Sequence, residues 1–226
     1  MALEASHIRF ALDIKDKLEV TDLKKYIPGI IYPDSRYVTK IDRELTHPQD
    51  LLDNHYSHLD DFNKGCYAHL LYDDILRNYT KQTLSDMFTD IDSSQDSGRE
   101  LWIRMTALKI LQDNDDIKKY DIAAFLPYLD YVENLNGEDR DLLVKYNQYF
   151  QKLYAIPQQV SLEKYYDMWR FLGIGEDLGK KTAALHKGAA VFLFILTVVR
   201  YGTCQSECAI REATPITAGL IMPSRT

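Results

Sequence analysis

At 226 residues and 46% hydrophobic, the chain is long enough to bury one sizeable core and ordinary enough in composition to be globular. A net charge of −7 supplies no basic footprint, which argues against stable nucleic-acid binding through the phosphate backbone. Three cysteines, Cys66, Cys204 and Cys208, make no disulfide framework and read as free thiols in a reducing compartment. The opening residues Met-Ala-Leu-Glu-Ala-Ser-His have neither the basic nor the apolar region of a signal peptide, so a cytoplasmic location is expected.

The 10 glycines and 7 prolines are concentrated at a few breaks, so most of the chain is expected to be helical. Residues 6–18 place Ile8, Ala11, Leu12 and Leu18 close to helical spacing, with Ser6 as a cap and His7 in the first turn. Residues 27–48 hold Pro28, Gly29, Pro33 and Pro48 and read as a long apolar loop that carries Asp34 inward. His47 follows in Thr46-His47-Pro48. Residues 48–59 suggest a short helix with His55 and His58 on its surface. Residues 60–79 form a helix in which His69 and Asp73, at i and i+4, share one face beside Leu70, Leu71, Ile75 and Leu76.

A further helix is expected from Thr80 or Thr83 through Leu84, Met87 and Phe88. Asp90 to Gly98 is a polar connector whose glycine and acidic residues do not fit a calcium loop. Residues 99–113, 121–135 and 138–154 read as amphipathic helices, the last two divided by Asn136-Gly137. Tyr128, Tyr131, Tyr146, Tyr149, Phe150 and Tyr154 supply core and rim aromatics. Ser161 to Phe171 gives one more helix, closed by Gly173 and Gly175. The apolar run from Gly188 to Val199 is shorter than the about 20 residues a membrane span needs. Residues 213–226 show no periodicity, and the chain divides into a helical domain over 1–200 and a poorly ordered tail over 201–226.

The order His7, Gly29-Ile30-Ile31-Tyr32-Pro33-Asp34, His47 and Gly65-Cys66-Tyr67-Ala68-His69-Leu70-Leu71-Tyr72-Asp73 resembles the zinc-dependent phospholipase C family, which is similar in fold to the S1/P1 nucleases. That family has an early helical histidine, a Gly-x-x-x-Pro-Asp loop, a downstream histidine and a Gly-x-x-x-His-Leu-x-x-Asp helix. The likeness covers residues 5 to 80. It implies an all-α, multi-helical single domain and a metal-dependent hydrolase of phosphoesters, acting on a small phosphoester or a phospholipid head group.

It also implies zinc, one ion or two, with manganese as a substitute, held by His7, Asp34, His47, His69 and Asp73. Imidazole nitrogen and carboxylate oxygen are the donors such ions take. Asp34 is the implied catalytic base and bridging carboxylate. His47, His69 and Asp73 would complete one ion, and His7 with Asp73 would hold part of another.

The chain departs from the family after Asp73. It has no further histidine before His186 and no His-x-x-x-Glu, so the residues allow one ion, or two with His55 or His58 filling in. The alternative is a helical binding or scaffold protein that keeps the fold with a residual or structural metal site. Adjacent His-Asp, required by the HD-type phosphohydrolases, a rival all-helical metal class, does not occur.

Overall fold

In a computed structural model of the chain, the described residues are 3–53, 55–83 and 97–174, and among them every regular element is helical. They belong to one compact unit spanning Met1–Ala189. The elements are α1 (Glu4–Ile14), α2 (Leu23–Ile31), a 3-10 turn (Tyr32–Ser35), α3 (Arg36–Thr39), α4 (Arg43–Thr46) and α5 (Asp50–Asp53). A second 3-10 turn (Tyr56–His58) leads into α6 (Asp61–Thr83). Then come α7 (Ser97–Lys119), a 3-10 segment (Ile122–Asp130), α8 (Arg140–Tyr154), a short turn (Pro157–Gln159) and α9 (Leu162–Phe171).

The first expectation corrected is the loop over 27–48. Those residues form the end of α2, a 3-10 turn and two single-turn helices. Pro28 lies inside α2, where its missing N–H forfeits only the bond to Lys24, and the chain stays helical to Ile31. Pro33 then sits in the first turn of the 3-10 segment, where an N–H has no partner to lose. Gly29 marks a helix contact and not a break.

That contact is a close one. A Cβ at Gly29 would fall 2.1 Å from the Phe62 carbonyl oxygen, and one at Gly65 would fall 2.3 Å from the Tyr26 carbonyl oxygen. Backbone therefore meets backbone where α2 crosses α6, and only glycine fits on either side. Asp61, at the start of α6, accepts from Thr21 N (3.1 Å), Thr21 Oγ1 (2.8 Å) and Asp22 N (2.6 Å), tying it to the entry of α2. Tyr26 Oη donates to the Ala11 carbonyl at 2.9 Å and fixes α2 on α1.

Helix α1 starts at Glu4, so Ser6 lies within its first turn and is not its cap. Leu3 occupies the N-cap and offers no side-chain acceptor. An N–H of the first turn has no intrahelical partner. Here Asp113 of α7 takes the one on Ser6 at 2.9 Å, while Ser6 Oγ donates to Asp116 at 2.8 Å. Tyr154 of α8 and Tyr165 of α9 donate to the same Asp113 carboxylate at 3.0 and 2.8 Å. Asp113 thus joins four helices, and its burial beside Asp116 raises its carboxyl to about 7.

Other boundaries also differ from expectation. Residues 122–130 wind as a 3-10 segment because Pro127 interrupts the helical ladder. The helix over 48–59 is two separate single turns. Gly137, at φ +78°, makes the turn expected at Asn136-Gly137, and Asp139 caps α8 by accepting from Asp141 N at 2.8 Å. Gly173 closes α9 at φ +73°. The helix through Leu84 to Phe88, most of the polar connector, the apolar run and the tail over 201–226 lie outside the described residues. No helix among the described residues is long and apolar enough to cross a membrane.

The glycine contact carries a signed test. Alanine is favoured over glycine inside a helix by about 1 kcal/mol, whereas overpacking costs about 1–3 kcal/mol and more where backbone must move. Gly29→Ala and Gly65→Ala should each lower the free energy of unfolding by about 2 kcal/mol or more in urea titration. A gain would show that the helices have room to part.

Candidate metal centre

Each expected ligand reaches the site from a different device. His7 comes from the first turn of α1 and Asp34 from the 3-10 turn after α2. His47 caps the C-terminus of α4, and His69 and Asp73 stand one turn apart on α6. The five side chains converge. His7, His69 and Asp73 form one group, and Asp34, His47 and His69 a second, with ligand-type atoms within 4.8 Å of one another in each. Four of the five residues are buried and Asp73 is nearly so.

The grouping differs from the one implied by the family likeness. His69 is common to both groups, Asp34 belongs to one, and His47 is not grouped with Asp73. His55 and His58 are in neither group. They are exposed on the 3-10 turn, where His55 Nδ1 bonds Ser57 Oγ at 2.7 Å.

Backbone geometry decides which imidazole nitrogen faces inward. His69 Nδ1 lies 2.8 Å from the Ile30 carbonyl, which can only accept, so Nδ1 carries the proton and Nε2 keeps its lone pair. Thr46 Oγ1 donates to the Arg43 carbonyl at 3.3 Å, which leaves its oxygen to accept from His47 Nδ1 at 3.0 Å. His47 Nε2 is then also a lone-pair donor, 3.6 Å from Asp34 Oδ1. His7 Nε2 stands 3.7 Å from Asp73 Oδ1. The rings of His7 and His69 stack with centroids 3.9 Å apart, and His47 meets His69 edge-on at 5.3 Å.

Those carboxylate separations are too long for hydrogen bonds. They are close to the about 3.4 Å between two ligands of a tetrahedral zinc with bonds of about 2.0–2.1 Å. His7 Nε2, His69 Nε2 and Asp34 Oδ2 are buried without any hydrogen-bond partner. Orphaned buried polar atoms cost about 1–3 kcal/mol each, and three lone-pair atoms in one spot are the donor set a cation takes. The residues present therefore suit a metal ion.

Electrostatics agree. Burial holds His7 well below its ordinary value, helped by His69 and opposed by Asp73. Burial also lowers His47 to about 3, again with His69 helping and Asp34 opposing. Both imidazoles are therefore neutral at pH 7, the form that can donate a lone pair to a metal. Glu4 was not anticipated from the sequence, although it lies one turn before His7. It is buried, accepts from Tyr146 Oη at 2.9 Å and leaves Oε2 without a partner. Burial raises its carboxyl well above the ordinary range, and the charges of Asp34 and Asp113 raise it further.

Comparisons with protein-family models, with curated proteins and with solved structures find no match to this chain. The class of the site is thus defined by its own donors: a buried centre of three histidines and two aspartates on an all-helical scaffold.

Two measurements follow. Removing an outer partner of a metal-bound histidine typically costs 10–100-fold in affinity. Thr46→Val, which frees His47 Nδ1, should weaken zinc binding by about that factor if Asp34, His47 and His69 hold the ion and leave it unchanged if His7, His69 and Asp73 do, with the far-ultraviolet spectrum unchanged in both cases. The second concerns pH. His7 and His47 have folded values below the unfolded value near 6.5, so their share of stability is complete above pH 6.5. It is lost as pH falls from there toward 3. Metal-free protein should weaken from pH 6.5 to 5, and His47→Gln should flatten that slope by up to about 1.4 kcal/mol per pH unit. Glu4 and Asp113, whose raised values act in the opposite sense, are present in both proteins and cancel in the comparison.

Proposed function

We propose that this chain is a metal-dependent phosphoester hydrolase of the zinc-dependent phospholipase C type. The observation that carries the reading is the convergence of three imidazoles and two carboxylates in a buried site, with His7 Nε2, His69 Nε2 and Asp34 Oδ2 left without hydrogen-bond partners. Zinc is the ion that suits this donor set, with manganese as a substitute. When bound, it supplies Lewis-acid stabilisation of a phosphoryl oxygen and acidifies a water.

The protein's own part is orientation and proton handling. Ile30 and Thr46 fix the tautomers of His69 and His47. His69 offers one free nitrogen and can serve one ion only, so the two groups compete for it. The described residues thus provide one complete set of three ligands, and a second group without His69 keeps two. One tightly held ion per chain, on His7, His69 and Asp73 with Asp34 and His47 beside it, is the stoichiometry proposed. Asp34, with Oδ1 toward His47 and Oδ2 unpartnered, is the group placed to take a proton from an attacking water. The substrate would be a small phosphoester or a phospholipid head group.

A second reading has an observation in its favour. His7, Asp34, His47 and His69 are only 1–4% exposed, as in closed structural metal sites. A helical scaffold protein with a stabilising ion would have this burial too.

Metal analysis by mass spectrometry followed by turnover of bis-p-nitrophenyl phosphate separates the two. About one zinc per chain is expected, and His69→Ala and Asp73→Ala should each lose it and melt lower. Asp34→Asn should reduce turnover by about 100-fold or more while retaining most of the metal. Zinc-loaded wild type that turns over no faster than Asp34→Asn across a panel of phosphoesters would leave the scaffold reading standing.

A further inference from the structure

The ligands are buried, and two of them have an arginine as a backbone neighbour: Arg36 N donates to the Asp34 carbonyl, and the Arg43 carbonyl accepts from His47 N at 2.7 Å. Tyr37, three residues beyond Asp34, is half-buried and carries Arg36 upon it. Arg36 Nη2 donates to Tyr37 Oη at 2.7 Å, and its guanidinium carbon lies 4.1 Å from the Tyr37 ring centroid. Arg43, four residues before His47, is exposed, and its carbonyl accepts from both Thr46 Oγ1 and His47 N. The same few groups feel one another's charge. Burial raises the Tyr37 hydroxyl, Asp34 and Asp73 raise it further, and Arg36 and Arg43 oppose them. Arg43 also contributes to lowering His47.

Neither guanidinium has a carboxylate within salt-bridge distance among the described residues. Arg9, Arg77 and Arg170 do have one, and Arg140 donates to the Val132 carbonyl. Arg36 Nε is moreover buried without a partner. Asp42 and Glu44 lie on the same stretch but are exposed and bond to neither arginine. In a chain of net charge −7, two arginines without acidic partners beside the acidic centre are unspent positive charge.

We infer that Arg36, stacked on Tyr37, and Arg43, one turn before His47, form an anion-reading rim that selects phosphate esters bearing a second negative charge. This rests on the metal-hydrolase reading for its reaction but not for its binding test. Guanidinium donors in a planar fork match phosphate oxygens, and such bonds are about twice as strong as neutral ones. Tyr37 holds the Arg36 fork flat, which limits the freedom lost on binding. The rim supplies recognition, whereas the His/Asp centre supplies reactivity.

The test is calorimetric titration of inorganic phosphate into the full chain, zinc-loaded and zinc-stripped, for wild type, Arg43→Ala, Arg36→Lys and the control Arg140→Ala. Each zinc-loaded rim variant should bind phosphate at least about tenfold more weakly, about 1.4 kcal/mol, with zinc content and melting temperature unchanged. Arg140→Ala should match wild type. Arg36→Lys keeps the charge and loses the fork, so its loss marks planar recognition. Arg43 is exposed, and its variant decides the matter if Arg36→Lys fails to fold.

Equal phosphate affinity in all proteins, with zinc retained, would overturn the rim and leave the metal reading intact. If wild type holds no zinc, the metal reading fails and the zinc-stripped titration decides. Arginine-dependent phosphate binding there upholds the rim, and arginine-independent or absent binding overturns it.

Discussion

Everything in the candidate site depends on how closely α2 and α6 approach. His69 stands on α6 and must reach the Ile30 carbonyl on α2 at 2.8 Å. That reach exists because Gly29 and Gly65 let two backbones touch a turn away. A side chain at either position would separate the helices, and His69 would lose the bond that decides its tautomer. The glycines are therefore a condition on the chemistry as well as on packing. The same crossing determines where α2 ends, and hence where the Pro33 turn delivers Asp34. Tyr32, on that turn, bonds Glu138 and accepts from Asn136 Nδ2 at 2.8 Å, which secures the delivery from the α8 side.

The site is an electrostatic compromise. Neutral imidazoles are obtained by burial, which is unfavourable for their protonated forms. The carboxylates beside them are not equally easy to bury. Glu4 meets the difficulty by a raised proton affinity, since it faces Asp34 and Asp113 with one hydroxyl for company. The cations that could have balanced Asp34 directly, Arg36 and Arg43, sit outward along α3 and α4 instead. Positive charge is thus kept outside the buried set of donors.

Much of this was legible in the chain. Helical spacing identified α1, α6, α8 and α9, and the ligand-type residues in order identified the five side chains that the fold brings together. The failures share a cause. Gly29, Pro28 and Pro33 were read as loop formers from local preference, whereas tertiary contact keeps α2 helical through them. The fold class as all-helical holds for the described residues, while the phospholipase C type remains a proposal carried by the site. Partners separated far in sequence were invisible. Nothing in Ser6 announces Asp113 at 2.9 Å, and nothing in Thr46 announces that its hydroxyl aims a ring. Arg36 and Arg43 look like ordinary surface charge until the absence of acidic partners around them is seen.

The Asp113 junction bears on modularity. The residues that supply every candidate ligand end at Asp73, which invites treating that segment as a portable cassette. It is not self-sufficient. The first turn of α1, which presents His7, borrows its terminal acceptor from α7, and that acceptor is in turn held by tyrosines of α8 and α9. Grafting the donor-bearing helices onto another scaffold would transfer the residues without the carboxylate that completes the helix beneath them. Any recombination or redesign of this centre must carry the junction along, and lineages that exchange segments between α6 and α7 must preserve an acceptor at that spot.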